Sequence, residues 1–228
     1  HAGGKFGGEG YKIAGGLHGV GASVVNALSE WLEAEVRHEG KIFKQVYNRG
    51  VPQRSVQVIG ETDAMGTKVT FLPDADIFET TIFVYDTLKG RLRELAYLNK
   101  GLRITLKDAR QGQEQEDSFC YEGGIISFVE YLNEQKHAAL VHKDIVYMKG
   151  ERDGIVAEVA LQYNDSYNET LISFANNMAT IEGGTHESGF KSAITKAIND
   201  YARKIGQLKE SDKNLSGEDV REGITAII

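Results

Sequence analysis

The feature that most constrains the fold of this chain is a dense set of glycines at its start, directly followed by a helical pattern. Nine of the first 21 residues are glycine, whereas the whole chain of 228 residues has 26 glycines and only two prolines. A glycine excess without proline indicates tight backbone geometry rather than a flexible linker, because glycine adopts positive φ angles and lets backbones approach closely.

Residues 14–23, with the sequence AGGLHGVGAS, have the composition of a phosphate site. Glycines just before a helix let backbone N–H groups face a ligand, and the helix N-terminus adds about half a positive charge. A P-loop would need a lysine where this chain has Ala22. A dinucleotide fingerprint would need a glycine at Val24 and a preceding apolar strand. From spacing alone, a phosphate site and a purely structural tight turn both remain open.

The composition, with 41% hydrophobic and 26% charged residues, is that of a globular protein. The sequence has no apolar run long enough for a membrane span and no signal-peptide pattern. The single cysteine, Cys120, favours a reducing, cytoplasmic setting. The net charge of −7 argues against nucleic-acid binding through bulk charge. The histidines and the cysteine lack metal-ligand spacing, so we predict no metal site in this chain.

Hydrophobic periodicity predicts two α/β units in direct contact, which meet near residues 119–124. Helices are predicted over 24–32, 85–98, 125–132 and 187–204, and strands over 33–37, 41–47, 67–72, 102–106, 155–163 and 171–176. The last helix is expected to bury Tyr201 with its other apolar residues and to end at Gly206. The chain starts at His1 without methionine and stops at Ile228 inside an apolar strand pattern, so we expect it to be a piece of a longer protein.

Several motifs together resemble the ATPase subunits of bacterial type II topoisomerases. They are HAGGKF at 1–6, GGLHGVG at 15–21, GT at 66–67, RLRELA at 91–96, YEGG at 121–124, GGTH at 183–186 and DVREG at 219–223. The resemblance spans essentially the whole chain. Within the family, the sequence GVPQ at 50–53 favours the gyrase branch over the topoisomerase IV branch.

The resemblance implies an α+β chain with two partial domains. Residues 1–120 would be the C-terminal part of a GHKL (Bergerat) ATPase α/β sandwich, and residues 121–228 the N-terminal part of an α/β transducer domain. The implied ATP-binding residues are Lys5, Tyr11, Gly15, Gly16, Leu17, His18, Gly19, Val20, Gly21 and Thr67. Lys5 and the lid glycines would meet the phosphates, and Tyr11 and Thr67 the adenine side.

The same resemblance places the family's catalytic glutamate and its magnesium-binding asparagine upstream of His1, so no catalytic or metal-binding residue is assigned here. For the isolated chain we therefore predict no ATP hydrolysis. The intact protein would be an ATP-dependent DNA topoisomerase that uses Mg²⁺. Its implied partners are DNA, the gyrase A subunit and a second copy of itself, without a membrane.

Two alternatives stay open at this point. One is another GHKL ATPase of the mismatch-repair or chaperone type, which the motifs at 183–186 and 219–223 disfavour. The other is a non-catalytic interaction or DNA-guiding module, a role that this chain could have in isolation. Nucleotide-dependent dimerisation of the intact subunit would distinguish an ATPase from a passive module.

Overall fold

A computed structural model describes residues 19–228 of the chain. The chain divides into two compact units, His1–Val84 and Tyr85–Ile228. The predicted domain division between residues 120 and 121 stays a prediction. Among residues 19–228, no helix is both long enough and apolar enough to cross a membrane.

The first unit, as far as it is described, is a short helix followed by an antiparallel sheet. Its elements are α1 Gly21–Ala27, β1 Ser29–His38, β2 Lys41–Asn48, β3 Val51–Pro52, β4 Gln57–Glu61 and β5 Gly66–Pro73. Strand β1 lies between β2 and β5, and β3 and β4 both pair with β2. Glu39 and Gly40 both have positive φ angles, the geometry of a two-residue hairpin turn, which pairs His38 with Lys41.

The predicted helix over 24–32 is wrong in its second half. Helix α1 ends at Ala27, and Trp31 and the buried Leu32 lie in β1. The Ser29 hydroxyl donates to the Val25 carbonyl at 2.6 Å and so satisfies part of the last helical turn. From there β1 pairs with a strand on each side, and this pairing outweighs the local helical spacing. The strands predicted over 33–37, 41–47 and 67–72 are confirmed.

The second unit combines helices with one four-stranded sheet and two small hairpins. Its elements are α2 Tyr85–Leu98, β6 Ile104–Asp108, β7 Gln115–Phe119, α3 Ile125–Lys136, β8 Val146–Arg152, β9 Ile155–Tyr163, β10 Thr170–Ile172, β11 Phe174–Ala175, β12 Met178–Ala179, α4 Thr185–Lys204, α5 Gly217–Arg221 and β13 Ile224–Ile227. The sheet has the order β10-β13-β9-β8, with β13 parallel to β10 and antiparallel to β9.

The core of the second unit lies on both faces of β13, all of whose residues are buried. Ile227 belongs to a buried hydrophobic cluster that includes residues of α3, whereas Ile224 and Ala226 pack against Phe190 and Ile194 of α4. This follows from the two-residue alternation of a strand that is covered on both sides.

The helices predicted over 85–98, 125–132 and 187–204 are confirmed, the last two with a few more residues. Gly206 has a φ of +76° just beyond α4, as expected at a helix C-terminus. The prediction that Tyr201 is buried is wrong, because its side chain is 60% exposed. Asn199 is buried in that part of α4 instead, where its amide bonds to the backbone of Leu215.

Candidate functional site

Four of the ten predicted ATP-binding residues lie in the described part of the chain: Gly19, Val20, Gly21 and Thr67. The other six, Lys5, Tyr11, Gly15, Gly16, Leu17 and His18, lie outside the described residues. What the structure adds to the predicted site is therefore the end of the glycine segment, which we define as Gly15 to Gly21, and the strand that contains Thr67.

The glycine segment ends where α1 begins. Gly19 has a φ of +64°, a conformation that favours glycine. Val20 occupies the N-cap position without a side-chain cap, and its carbonyl accepts from the Val24 N–H at 2.8 Å. A Cβ atom at Gly21 would meet nothing within 4 Å, so packing among the described residues does not require glycine there. Among residues 19–228, no side chain caps the start of α1, so its backbone N–H groups are compatible with a phosphate.

Thr67 lies in β5, exposed, opposite Val36 of β1. Ser29, which follows α1, pairs with Pro73 at the other end of β5. From Ser29 to Val36, β1 extends by roughly 23 Å at about 3.3 Å per residue. No hydrogen bond of residues 19–228 connects Thr67 with Gly19, Val20 or Gly21. Thr67 and Gly19 to Gly21 lie in the same compact unit, and their common contact with a nucleotide stays a prediction.

An apolar cavity of about 410 Å³ lies beside α1. Val24 of α1 and Leu28, directly after α1, line it together with Phe71 of β5 and Phe83, and the two phenylalanine rings meet edge to face at 6.2 Å. None of the described residues that line the cavity is charged. It therefore does not fit a phosphate chain by itself, and the predicted phosphate contacts remain with the glycine segment.

An ion-pair cluster fixes two loops of the first unit to the junction of α1 and β1. The Arg49 Nε lies 2.7 Å from Oδ2 of Asp74, which is 2% exposed, and Arg49 also pairs with Asp76. The Asp74 N–H donates to the Leu28 carbonyl, and the Arg49 N–H to the Glu30 carbonyl. Asp76 and Asp74 raise the pKa of the Arg49 guanidinium above its ordinary value.

In the second unit, a series of polar side chains connects the GGTH motif at 183–186 with Ser173, which directly follows strand β10 of the four-stranded sheet. Nε2 of His186 lies 3.2 Å from the Thr180 hydroxyl, which lies 2.6 Å from the Ser173 hydroxyl. Ser173 donates to Glu187 at 2.8 Å, and Glu187 pairs with Lys191 at 2.8 Å. The motif at 183–186 therefore fixes the start of α4 to the β11–β12 hairpin, a role that its sequence pattern alone does not reveal.

We expect Glu187→Gln to lower the stability of the second unit by about 1 kcal/mol at neutral pH. The hydrogen bonds from Lys191 and Ser173 hold the pKa of the Glu187 carboxyl below its ordinary 4.5. A carboxyl with a lowered pKa in the folded state stabilises above its unfolded pKa, and this contribution is lost as the pH falls through the folded pKa. Urea unfolding from pH 7 to pH 3 should therefore show the two proteins converging below pH 4.5. Glu182→Gln, at an exposed carboxyl nearby, is the matched control and should have little effect at any pH.

Sequence comparison finds several DNA gyrase B proteins that are similar to this chain. A sequence profile of the DNA gyrase B family matches residues 124–228. The chain is 61% identical over its whole length to the DNA gyrase B protein of Halalkalibacterium halodurans and 58% identical to that of Clostridium acetobutylicum. It spans 36% and 35% of the length of these two relatives.

Solved structures share the fold. The 43K ATPase domain of Thermus thermophilus gyrase B, in complex with an aminocoumarin, has a TM-score of 0.80 and 38% identity, over 92% of this chain and 57% of that one. The DNA gyrase B protein of Myxococcus xanthus has a TM-score of 0.76 and 28% identity, over 88% of this chain and 56% of that one. The topoisomerase IV ATP-binding domain of Francisella tularensis, with a TM-score of 0.73 and 24% identity, supports the fold alone.

The fold is therefore the α+β fold of GHKL ATPase domains from bacterial type II topoisomerases, as the motifs predicted. Within that class, the chain belongs to the DNA gyrase B family. The prediction that the gyrase branch fits better than the topoisomerase IV branch is confirmed.

Proposed function

We propose that, in the longer protein, this chain is part of the ATP-binding and signal-transmitting region of a DNA gyrase B protein. The observation that carries the proposal is the 54–61% identity to five gyrase B proteins over all of the chain, which includes both compact units. A likeness confined to one unit would support a shared domain only.

In this proposal the glycine segment closes over the triphosphate of ATP. Gly15, Gly16 and Gly19 to Gly21 supply backbone N–H groups, and Lys5 adds a positive charge near the phosphates. Tyr11 and Thr67 lie on the adenine side. The left-handed conformation of Gly19 and the uncapped start of α1 support this assignment.

Residues 19–228 contain no group of three or more His, Cys, Asp or Glu side chains arranged to hold a metal ion. The resemblance assigns the magnesium-binding asparagine to a part of the protein before His1, so we propose that Mg²⁺ is held there and derive no step through it here. For the isolated chain we propose that ATP is not hydrolysed, because the resemblance assigns the catalytic glutamate to a part of the protein before His1. A DNA-guiding or interaction module remains the second candidate for the isolated chain.

In the intact enzyme, ATP binding would bring two gyrase B proteins together around DNA, and the second unit would pass the nucleotide state to the gyrase A protein. Closure of a lid over bound phosphates is a two-state change that ATP hydrolysis resets. The gyrase A partner, the DNA substrate and the cytoplasmic setting belong to this proposal.

The test is a supercoiling assay with the longer protein, the gyrase A partner and relaxed circular DNA. We expect negative supercoils with ATP and none without a nucleotide. A non-hydrolysable ATP analogue should support at most one round, because lid closure without hydrolysis cannot reset. No supercoiling of the relaxed circle with ATP, combined with ATP-dependent relaxation of a supercoiled circle or decatenation of linked circles in parallel assays, would contradict the assignment to gyrase and favour topoisomerase IV.

A further inference from the structure

One histidine of the second unit, His142, bonds to backbone groups through both of its ring nitrogens. Its Nδ1 lies 2.7 Å from the Asp144 carbonyl oxygen, and its Nε2 lies 3.0 Å from the backbone nitrogen of Tyr163. A carbonyl oxygen can only accept a hydrogen bond, and a backbone N–H can only donate one. The two partners therefore fix the ring as the neutral tautomer that has its proton on Nδ1 and an acceptor at Nε2.

The ring replaces a backbone acceptor in a bulge between α3 and β8. Leu140 pairs with Asn164, and Val146 pairs with Leu161 at the start of β8. The chain thus advances six residues on one side of the ladder, from 140 to 146, and only three on the other, from 161 to 164. The extra residues bulge out of the ladder. The Tyr163 N–H, which lies opposite this bulge, finds its acceptor in the imidazole.

A second side chain holds the same bulge. Gln162, which is 2% exposed, donates from its Nε2 to the carbonyl oxygens of His142 and Lys143, each at 3.0 Å. Its Oε1 accepts from Asn133 of α3 at 2.8 Å. The bulge is therefore bonded to the end of β9 by a glutamine, which carries no charge at any pH, and by a histidine, the residue type that changes charge between pH 5 and 8.

The ring has no ion-pair partner among residues 19–228, and both of its bonds are to backbone groups. The Tyr163 ring centre lies 6.0 Å away, and the Tyr163 hydroxyl is engaged in donating to the Val220 carbonyl at 2.8 Å. Burial raises the pKa of that phenol, so it stays uncharged at neutral pH. The other ionisable groups on the elements that border the bulge are Glu130, Glu134 and Lys136 of α3, His137, Lys143, Asp144, Asp165 and Arg221.

We propose that the bond from the Tyr163 N–H to His142 is a proton-sensitive contact that holds the bulge at 142–145 to the end of β9. When the imidazole takes up a proton from water at Nε2, this nitrogen becomes a donor that faces another donor, and the bond is lost. The bond from Nδ1 to the Asp144 carbonyl is possible in both forms. The contact therefore holds the bulge while the ring is neutral and releases it as the pH falls.

Release would loosen one wall of a groove. A cavity of about 1060 Å³ is lined by Leu140, Lys143 and Ile145 from the segment between α3 and β8, and by Ile126 and Glu130 from α3. The Gln162 bonds do not depend on pH, so we expect the segment to loosen and not to detach. The pH then sets how firmly this wall is held. This inference goes beyond the proposed function and does not depend on it.

The test is hydrogen–deuterium exchange of the longer protein by mass spectrometry at about pH 7.5 and about pH 5.5, corrected for the intrinsic pH dependence of exchange. Ordinary carboxyl groups stay ionised over this range. We expect peptides that cover 138–146 and 161–165 to lose protection about tenfold at the lower pH. The β6–β7 hairpin contains no histidine and should not change. No loss of protection in those peptides, or an equal loss in the β6–β7 hairpin, would overturn the proposal.

A pair of variants assigns the effect to one residue. In His142→Gln the side-chain oxygen can accept from the Tyr163 N–H at either pH, so the pH-dependent loss should disappear. His137→Asn is the matched control, because His137 is exposed, lies five residues away and has a left-handed conformation that asparagine tolerates. It should keep the whole tenfold loss.

Persistence of the loss in His142→Gln, or its disappearance in His137→Asn, would overturn the role of His142. The pH series of the unmodified protein decides whether the contact is proton-sensitive even where a variant fails to fold. Neither measurement uses nucleotide or DNA, so a failed supercoiling assay leaves this inference standing, and the reverse also holds.

Discussion

Replacing Gly223 with alanine should lower the stability of the second unit by about 4 kcal/mol, the largest single effect that we expect, as the sum of backbone strain and a clash. Gly223 has a φ of +69°, which costs an alanine about 1–2 kcal/mol. A Cβ atom there would lie 2.3 Å from the Asn164 carbonyl oxygen and 2.8 Å from that of Ser166. Both are backbone atoms, so relief requires a shift of the segment that leads into the buried strand β13, at a further cost of about 1–3 kcal/mol.

Gly112→Ala is the control that separates backbone strain from the clash. Gly112 has a φ of +76°, but a Cβ atom there meets nothing within 4 Å. We expect it to cost about 1–2 kcal/mol. Urea unfolding monitored by circular dichroism measures both variants. Equal losses for the two would show that the close approach at Gly223 relaxes without cost, contrary to the tight packing that we infer at the start of β13.

Replacing Asp74 with alanine should cost the first unit about 2–3 kcal/mol, the next largest effect. The buried carboxylate accepts hydrogen bonds from the Arg49 guanidinium and from the Asp76 N–H at 3.0 Å. Hydrogen bonds to charged groups contribute about 1.5–3 kcal/mol each, and the buried site excludes water as a replacement.

Asp76→Asn is the matched comparison, because its carboxylate is 77% exposed and contacts the same arginine. An exposed ion pair contributes about 0–1 kcal/mol, so this variant should change the urea midpoint little. A loss at Asp76 as large as the loss at Asp74 would mean that charge, rather than burial, fixes these loops.

Periodicity predicted the helices of this chain where an apolar stripe continues for three turns or more. Helix α2 matches its predicted bounds, and α4 starts two residues before its predicted start. The prediction failed at Trp31 and Leu32, because strand pairing on both sides of β1 outweighed a short helical spacing. Such pairing comes from residues distant in sequence and leaves no local signal.

The candidate site was predictable only in its motifs. The glycine segment and GGTH carry specific motifs, but nothing local in the sequence connects Glu187 with Ser173 or Arg93 with Tyr131. These contacts join residues 14 and 38 positions apart, counted as 187 − 173 and 131 − 93. Their partners become evident only once β11, α3 and α4 are folded against the same sheet.

The most direct test of the central claim, that the glycine segment is a nucleotide lid, is the ATP hydrolysis rate of the longer protein carrying Gly19→Ala. The substitution strains a position with a φ of +64° directly before α1, and a cost of about 1–2 kcal/mol corresponds to a loss of roughly tenfold. Gly112→Ala places the same strain in the β6–β7 turn and should leave the rate unchanged. We predict a loss for Gly19→Ala alone, and equal rates for both variants and the unmodified protein would contradict the lid assignment.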